Sequence, residues 1–192
     1  MVKVKAFAAL VLAASATACV SVLPAQEVPK ALFRLDPITP VDGLTTNVVV
    51  REPTSTRVFG GQGMVVEGAD DGLRLIGGVE WAGRLTRLMQ VGLVDALSGG
   101  EDAIAVTELS GAPGGREVVW RISDMTIMGD QAVCALDITI LDGRTREPIA
   151  DGDVRREEPV RGTNAPARAQ ALSAVGTACV EAAAEFIVDV NS

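Results

Sequence analysis

Few residues in this chain can do covalent chemistry. There are three cysteines, Cys19, Cys134 and Cys179, and there is no histidine and no tyrosine. The commonest general base and the commonest zinc ligand are therefore missing together. Without an imidazole neither a Ser-His-Asp nor a Cys-His set can be built. The cysteines are far apart in sequence, so no Cys-x-x-Cys dithiol exists. Two acidic pairs, Asp70-Asp71 and Glu157-Glu158, fall in predicted turns, where carboxylates are usually solvated. Their spacing defines neither a metal site nor a glycosidase pair. The run Gly60-Gly61-Gln62-Gly63 lacks the Gly-Lys-Ser/Thr ending of a phosphate loop. Val66 stands where a third dinucleotide glycine would be, so the run reads as a flexible loop. The expectation is a protein that is not an enzyme, with no catalytic residue, no metal and no cofactor.

Cys19 has a different chemistry in prospect. Lys3 and Lys5 precede an apolar run from Ala6 to Ala14, then the small residues Ser15, Ala16, Thr17 and Ala18. This order is a basic n-region, a short h-region and a cleavage site, that is, a secretory signal over residues 1–18. The run is too short to span a bilayer core, which takes roughly 20 apolar residues. A cysteine directly after such a site forms a lipobox, although Ala16 holds the position usually taken by Leu. Acylation of Cys19 would anchor the mature protein to a membrane, at ~0.8 kcal/mol per buried methylene. The competing reading is an ordinary cleaved signal with Cys19 incidental. Val20, rather than Asp, follows the cysteine, which by analogy favours the outer membrane.

Net charge is −8 over 192 residues, with 17 basic and 25 acidic side chains. Removing Lys3 and Lys5 leaves 15 against 25, or −10 for the mature chain. An acidic chain without a basic cluster is a poor ligand for nucleic acid. No second apolar run is expected to span a membrane. The mature length suits one domain with a real core.

The elements follow from pattern. Residues 19–30, with Pro24 and Pro29, read as a tether. Leu32 to Leu35 alternates briefly as a first strand, and Ile38 to Leu44 is turn-like. Asn47 to Arg51 is a β-branched strand. Met64 to Glu67 and Leu73 to Ile76 make a hairpin around Asp70-Asp71-Gly72. Trp81 to Leu97 predicts a helix whose apolar face holds Trp81, Leu85, Leu88, Met89, Gly92, Leu93 and Ala96, with Arg87 and Gln90 opposite. Strands follow over Ala103 to Leu109, Glu117 to Met128 and Ala132 to Leu141. Ile149 to Val160 reads as an edge strand plus an exposed loop. A last helix opens at Thr163-Asn164 with Pro166 in its first turn. Its apolar face carries Leu172, Val175, Gly176, Cys179, Ala183, Phe186 and Ile187, and its polar face Ser173, Thr177, Glu181 and Glu185.

In the strand Ala132 to Leu141, Cys134 shares the buried face with Leu136, Ile138 and Ile140. Cys179 lies on the apolar side of the last helix. If that helix packs on that face, a Cys134–Cys179 disulfide is within reach. The alternative is two buried free thiols.

Taken together these features resemble the ABC-type transport auxiliary lipoproteins. The resemblance rests on Cys19-Val20-Ser21-Val22-Leu23-Pro24, on Leu32-Phe33-Arg34-Leu35, and on Val48-Val49-Val50 with Met64-Val65-Val66. Its most specific part is Trp81-Ala82-Gly83-Arg84-Leu85, running on to Ala96-Leu97. It extends loosely over residues 31–192. The resemblance implies an α+β fold, a two-layer structure with a mostly antiparallel sheet and two helices on one face. It also implies a non-catalytic accessory on the periplasmic face of the outer membrane. That accessory would dock the periplasmic MCE-domain protein of an ABC lipid (phospholipid) transport system, with self-association as a further implication. The alternatives are a structural envelope lipoprotein and a periplasmic small-molecule-binding protein without a transport role.

Overall fold

A computed structural model describes residues 31–111 and 114–191. The signal segment, Cys19 and the tether to residue 30 lie outside the described residues, as do Ala112, Pro113 and Ser192. Five strands come first: β1 (Ala31–Phe33), β2 (Val48–Val50), β3 (Thr54–Ser55), β4 (Gly63–Glu67) and β5 (Leu73–Trp81). Helix α1 (Leu85–Ala96) follows, then β6 (Ala105–Thr107), β7 (Arg116–Met128), β8 (Gln131–Asp142), β9 (Pro148–Pro159) and helix α2 (Ala165–Asn191).

The long strand β7 is the spine of one nine-stranded sheet. Along one edge it pairs antiparallel with β8, and β8 pairs antiparallel with β9. Along its other edge run β2, β3 and β4 in turn, each parallel to it. Beyond them lie β6 beside β2, and β5 then β1 beside β4. Five of the eight pairings are thus parallel, so the sheet is mixed rather than mostly antiparallel. The reason is the route of the chain. Residues 48–67 are laid down before α1, and the helical crossover brings the chain back in the same direction, which produces parallel neighbours. The α+β class and the two-layer arrangement stand.

The helices share one face and pack on each other; α2 lies over β8 and β9, and α1 reaches β2 and β6. Inward side chains alternate along the spine: Val118, Trp120 and Ile122, then, past a bulge, Met125 and Ile127. Their partners Ile140, Ile138, Leu136, Cys134 and Ala132 are likewise buried. Asn164 caps α2, its Oδ1 accepting from Ala167 N at 2.9 Å.

Several expectations need correction. Trp81 ends β5 instead of opening α1. Trp81 is in register with Phe33 of β1, its N–H donates to Gln62 O and that of Ala82 to Phe33 O, so the sheet ladder carries the backbone through Trp81 before the helix begins. The predicted strand Ala103 to Leu109 is shorter and runs into a 3-10 turn at Glu108–Ser110. The edge segment beyond Ile149 is a full twelve-residue strand. Gly152 makes this possible, because a Cβ there would sit 2.6 Å from the Phe186 ring of α2. Helix α2 is also long and apolar enough to cross a membrane by composition, contrary to the sequence reading, but most of it is buried against the sheet and α1.

The largest surprise is residues 34–44, which form a strap over the helices. Leu35 lies between the two helices, where a Cβ on Gly92 would come within 3.1 Å and one on Gly176 within 2.7 Å of it. Thr177 Oγ1 donates to Asp36 O at 3.2 Å, and Thr39 N donates to Glu181 Oε1 at 2.8 Å. The strap therefore covers part of the polar face assigned to α2, burying Ser173 and Thr177.

Candidate functional site

The singled-out residues do not converge on one centre. Cys134 of β8 and Cys179 of α2 are joined, their sulfur atoms 2.11 Å apart, and both residues are fully buried. The strand alternation aims Cys134 inward, and the helical spacing aims Cys179 at the sheet. Asp70 turns back on Arg74 at 2.8 Å, so that pair belongs to the β4–β5 hairpin. Glu157 pairs with Arg155 along β9 at 3.0 Å. The glycine run is not a loose loop. Gly61 O accepts from Leu85 N at 2.9 Å and so satisfies one of the free donors at the start of α1. At Gly60 a Cβ would fall 2.3 Å from Ser55 Oγ. Among the described residues no group of three or more His, Cys, Asp or Glu could hold a metal ion.

Two polar assemblies escaped the sequence reading. The first joins α1 to the β2 side of the sheet. Gln90, expected on the wet face, is fully buried. Its Nε2 donates to Val50 O at 2.9 Å and also to Glu108, while Arg87 donates to its Oε1. Thr86 donates to Glu52 at 2.6 Å, and Arg84 pairs with the same carboxylate at 2.9 Å. No periodicity argument could place Gln90 inside, because the groups that satisfy it come from residues 40 positions upstream and 18 downstream.

The second assembly lies on the sheet face away from the helices. Glu117 of β7 has a side chain only 7% exposed and is held between Arg51 and Arg146. Arg121 and Asp137 pair across β7 and β8 at 2.6 Å, and Thr139 donates to Asp151 across β8 and β9 at 2.6 Å. Each of these three acids has a cation or a hydroxyl for a partner. At the end of β8, Asp142 closes the turn to β9. Its Oδ1 accepts from the backbone N–H of Thr145 at 2.8 Å and of Arg144 at 2.9 Å. Those two bonds, in that order, hold its carboxyl below the ordinary 3.8, against desolvation and with smaller help from the Thr145 hydroxyl and Arg116.

The surface grooves adjoin the strap and the β3 loop. One of about 510 Å³ runs between Leu32–Pro37 and α2, with Gln170 and Ser173 on its wall. One of about 400 Å³ lies between the strap and α1, lined by Leu35, Ile38, Leu88, Val91 and Gly92. A third of about 540 Å³ lies over Glu52–Arg57, Gly60, Gly61, Arg84 and Thr86. The arrangement can present surfaces and bind by contact.

Comparison with known proteins agrees in outline. A family model described as "ABC-type transport auxiliary lipoprotein component" matches residues 35–184. A crystal structure of a DUF330-family protein from Xanthomonas campestris superimposes with a TM-score of 0.70 at 15% identity, covering 84% of this chain and 93% of that one. A hypothetical protein from Chlamydia trachomatis gives a TM-score of 0.52 at 9% identity, over 76% of this chain and 98% of that one. At such identities the likeness is one of fold. No curated protein sequence matches the chain.

Proposed function

This chain belongs to the ABC-type transport auxiliary lipoprotein component family, and from that membership we propose that it serves a lipid-transfer ABC system as a non-catalytic, membrane-anchored accessory. Cys19 carries the lipid in this reading, after removal of residues 1–18. Residues 19–30 tether a single domain, residues 31–192, to the periplasmic face of the outer membrane. The domain docks the MCE-domain component that carries lipid across the periplasm. The observation that carries the reading is the family match over residues 35–184, which takes in nearly all of the strap, the whole of α1, most of α2 and all but one strand of the sheet. The charged, internally paired sheet face and the buried disulfide suit a module that works by contact in an oxidising compartment.

Purification of the full chain from solubilised native membranes tests this. An MCE-domain protein should co-purify, and the intact mass should show an acylated Cys19 at the mature N-terminus. A chain recovered without an MCE protein, or with an unmodified first residue, overturns the docking or the anchoring part respectively.

A further inference from the structure

On the sheet face away from the helices, two arginines converge on one buried carboxylate. Glu117 Oε1 accepts from Arg51 Nε, and its Oε2 pairs with Arg146 Nη1. The Glu117 side chain is 7% exposed, whereas those of Arg51 and Arg146 are 47% and 50% exposed. Among the described residues neither guanidinium has a second partner, so most donors of each fork face outward. The fold holds both cations from behind. Arg51 N donates to Val118 O at 3.1 Å, and Arg51 O accepts from Trp120 Nε1 at 2.7 Å. Arg146 N donates to Asp142 O at 2.9 Å, inside the turn that the Asp142 carboxylate closes. The backbone of Arg146 has φ +65°, and among the described residues only Asp71 shares a positive φ without being glycine. Asp71 lies in a hairpin turn, where a short polar side chain tolerates that conformation. Arginine has no such excuse, and a backbone outlier of this kind points toward function.

We infer that Arg51 and Arg146 form a clamp for a phosphate group, with Glu117 as the residue that positions them. One carboxylate against two guanidiniums leaves a positive charge over, in a chain whose net charge is −8. Nearby acids do not cancel it, because they are engaged: Asp137 by Arg121, Asp142 by Arg116 and Asp151 by Thr139. Arg144 and Glu147 of the same turn offset each other in charge. Each planar fork matches a pair of oxygens on an oxyanion. A carboxylate ligand has oxygens for one fork only, whereas a tetrahedral phosphate can meet both. Val49 and Leu141 stand in register with Glu117 on either side and are half-buried on the same face. They give the carbon part of a phosphate ester an apolar seat. The shared chemistry is the phosphate group, whether free in solution or at the head of a lipid. This inference does not use the docking or anchoring reading, and either can fail alone.

Arginine side-chain NMR of the full chain in detergent micelles carries the test, with inorganic phosphate and a short-chain phosphatidic acid as separate probes. The Nε–H signals of Arg51 and Arg146 should shift saturably with at least one probe. That of Arg155, which pairs with Glu157 on β9, should stay in place. R51K and R146K keep a cation for Glu117, so the fold survives, but each loses a planar fork. Read at the remaining arginine, each should weaken binding at least about tenfold, with a thermal unfolding midpoint near that of wild type. A response to inorganic phosphate supports the clamp and identifies a free or soluble anion. A response to phosphatidic acid alone supports it and identifies a lipid headgroup. No saturable shift with either probe, an equal shift at Arg155, or lysine variants that bind like wild type would overturn the inference.

Discussion

At the scale of single residues, what separates this protein from a generic two-layer domain is where it buries polarity. Gln90 is fully enclosed and its amide is satisfied by Val50 O, Glu108 and Arg87. Replacing it by Leu keeps the volume and strands a backbone carbonyl and a carboxylate. Leaving such groups unsatisfied costs about 1–3 kcal/mol, so Gln90→Leu should lower the unfolding free energy by that amount, read as a lower denaturant midpoint with the slope unchanged. Asp142 supplies a second residue-level prediction. Its folded carboxyl titrates below 3.8. The stabilisation it gives the β8–β9 turn is therefore fully present above that pH, and is lost as pH falls through its lowered value. Carbon-detected NMR of the carboxylates should place the Asp142 midpoint below 3.8, and a midpoint at or above it would contradict the two backbone bonds.

Among the elements, the strap organises the helical layer. Leu35 needs Gly92 on one helix and Gly176 on the other, because no Cβ fits at either place without moving it. Gly176→Ala gains about 1 kcal/mol of helix propensity but overpacks Leu35 at 2.7 Å, and overpacking costs about 1–3 kcal/mol. The variant should be destabilised or neutral in the wild-type background and stabilised in a Leu35→Ala background; the change of sign, read from thermal unfolding, isolates the strap contact. The same element marks the limit of what pattern reveals. Strands β7 and β8, the α2 cap and the inward aim of Cys134 are local, set by alternation and by Asn164, and were legible. Residues 34–44 carry no period because their partners, Gly92, Gly176, Thr177 and Glu181, are decided by the tertiary fold. Trp81 was misplaced for a related reason. Its helical spacing to Leu85 and Leu88 is real, yet pairing with Phe33 of β1 holds it extended at the end of β5. Parallel pairing of β2, β3 and β4 with β7 was equally hidden, since strand direction depends on the crossover and not on composition.

For the molecule as a whole, the question is what holds the helical layer to the sheet once the strap and core are in place. The core interdigitates small residues. Ala169, Ala183 and Ala184 of α2 are buried beside Leu172, Val175, Cys179 and Ile187, so small side chains alternate with larger ones on its buried side. The Cys134–Cys179 bridge crosses that closely packed layer and spans 45 residues of chain. In the chain-entropy model a loop of this length contributes about 4 kcal/mol. Domains of this size have only about 5–15 kcal/mol in total. Reduction should therefore remove a large share of the stability without removing the fold, because the alternating face of β8 and the apolar side of α2 still match. Equilibrium unfolding of the full chain with and without reductant should differ by about 4 kcal/mol, and Cys134→Ala/Cys179→Ala should match the reduced protein and ignore the reductant. A wild-type chain whose stability is indifferent to reductant would mean that packing alone holds α2 on the sheet. A reduced chain that unfolds outright would mean that the small-residue interface is too weak to do so.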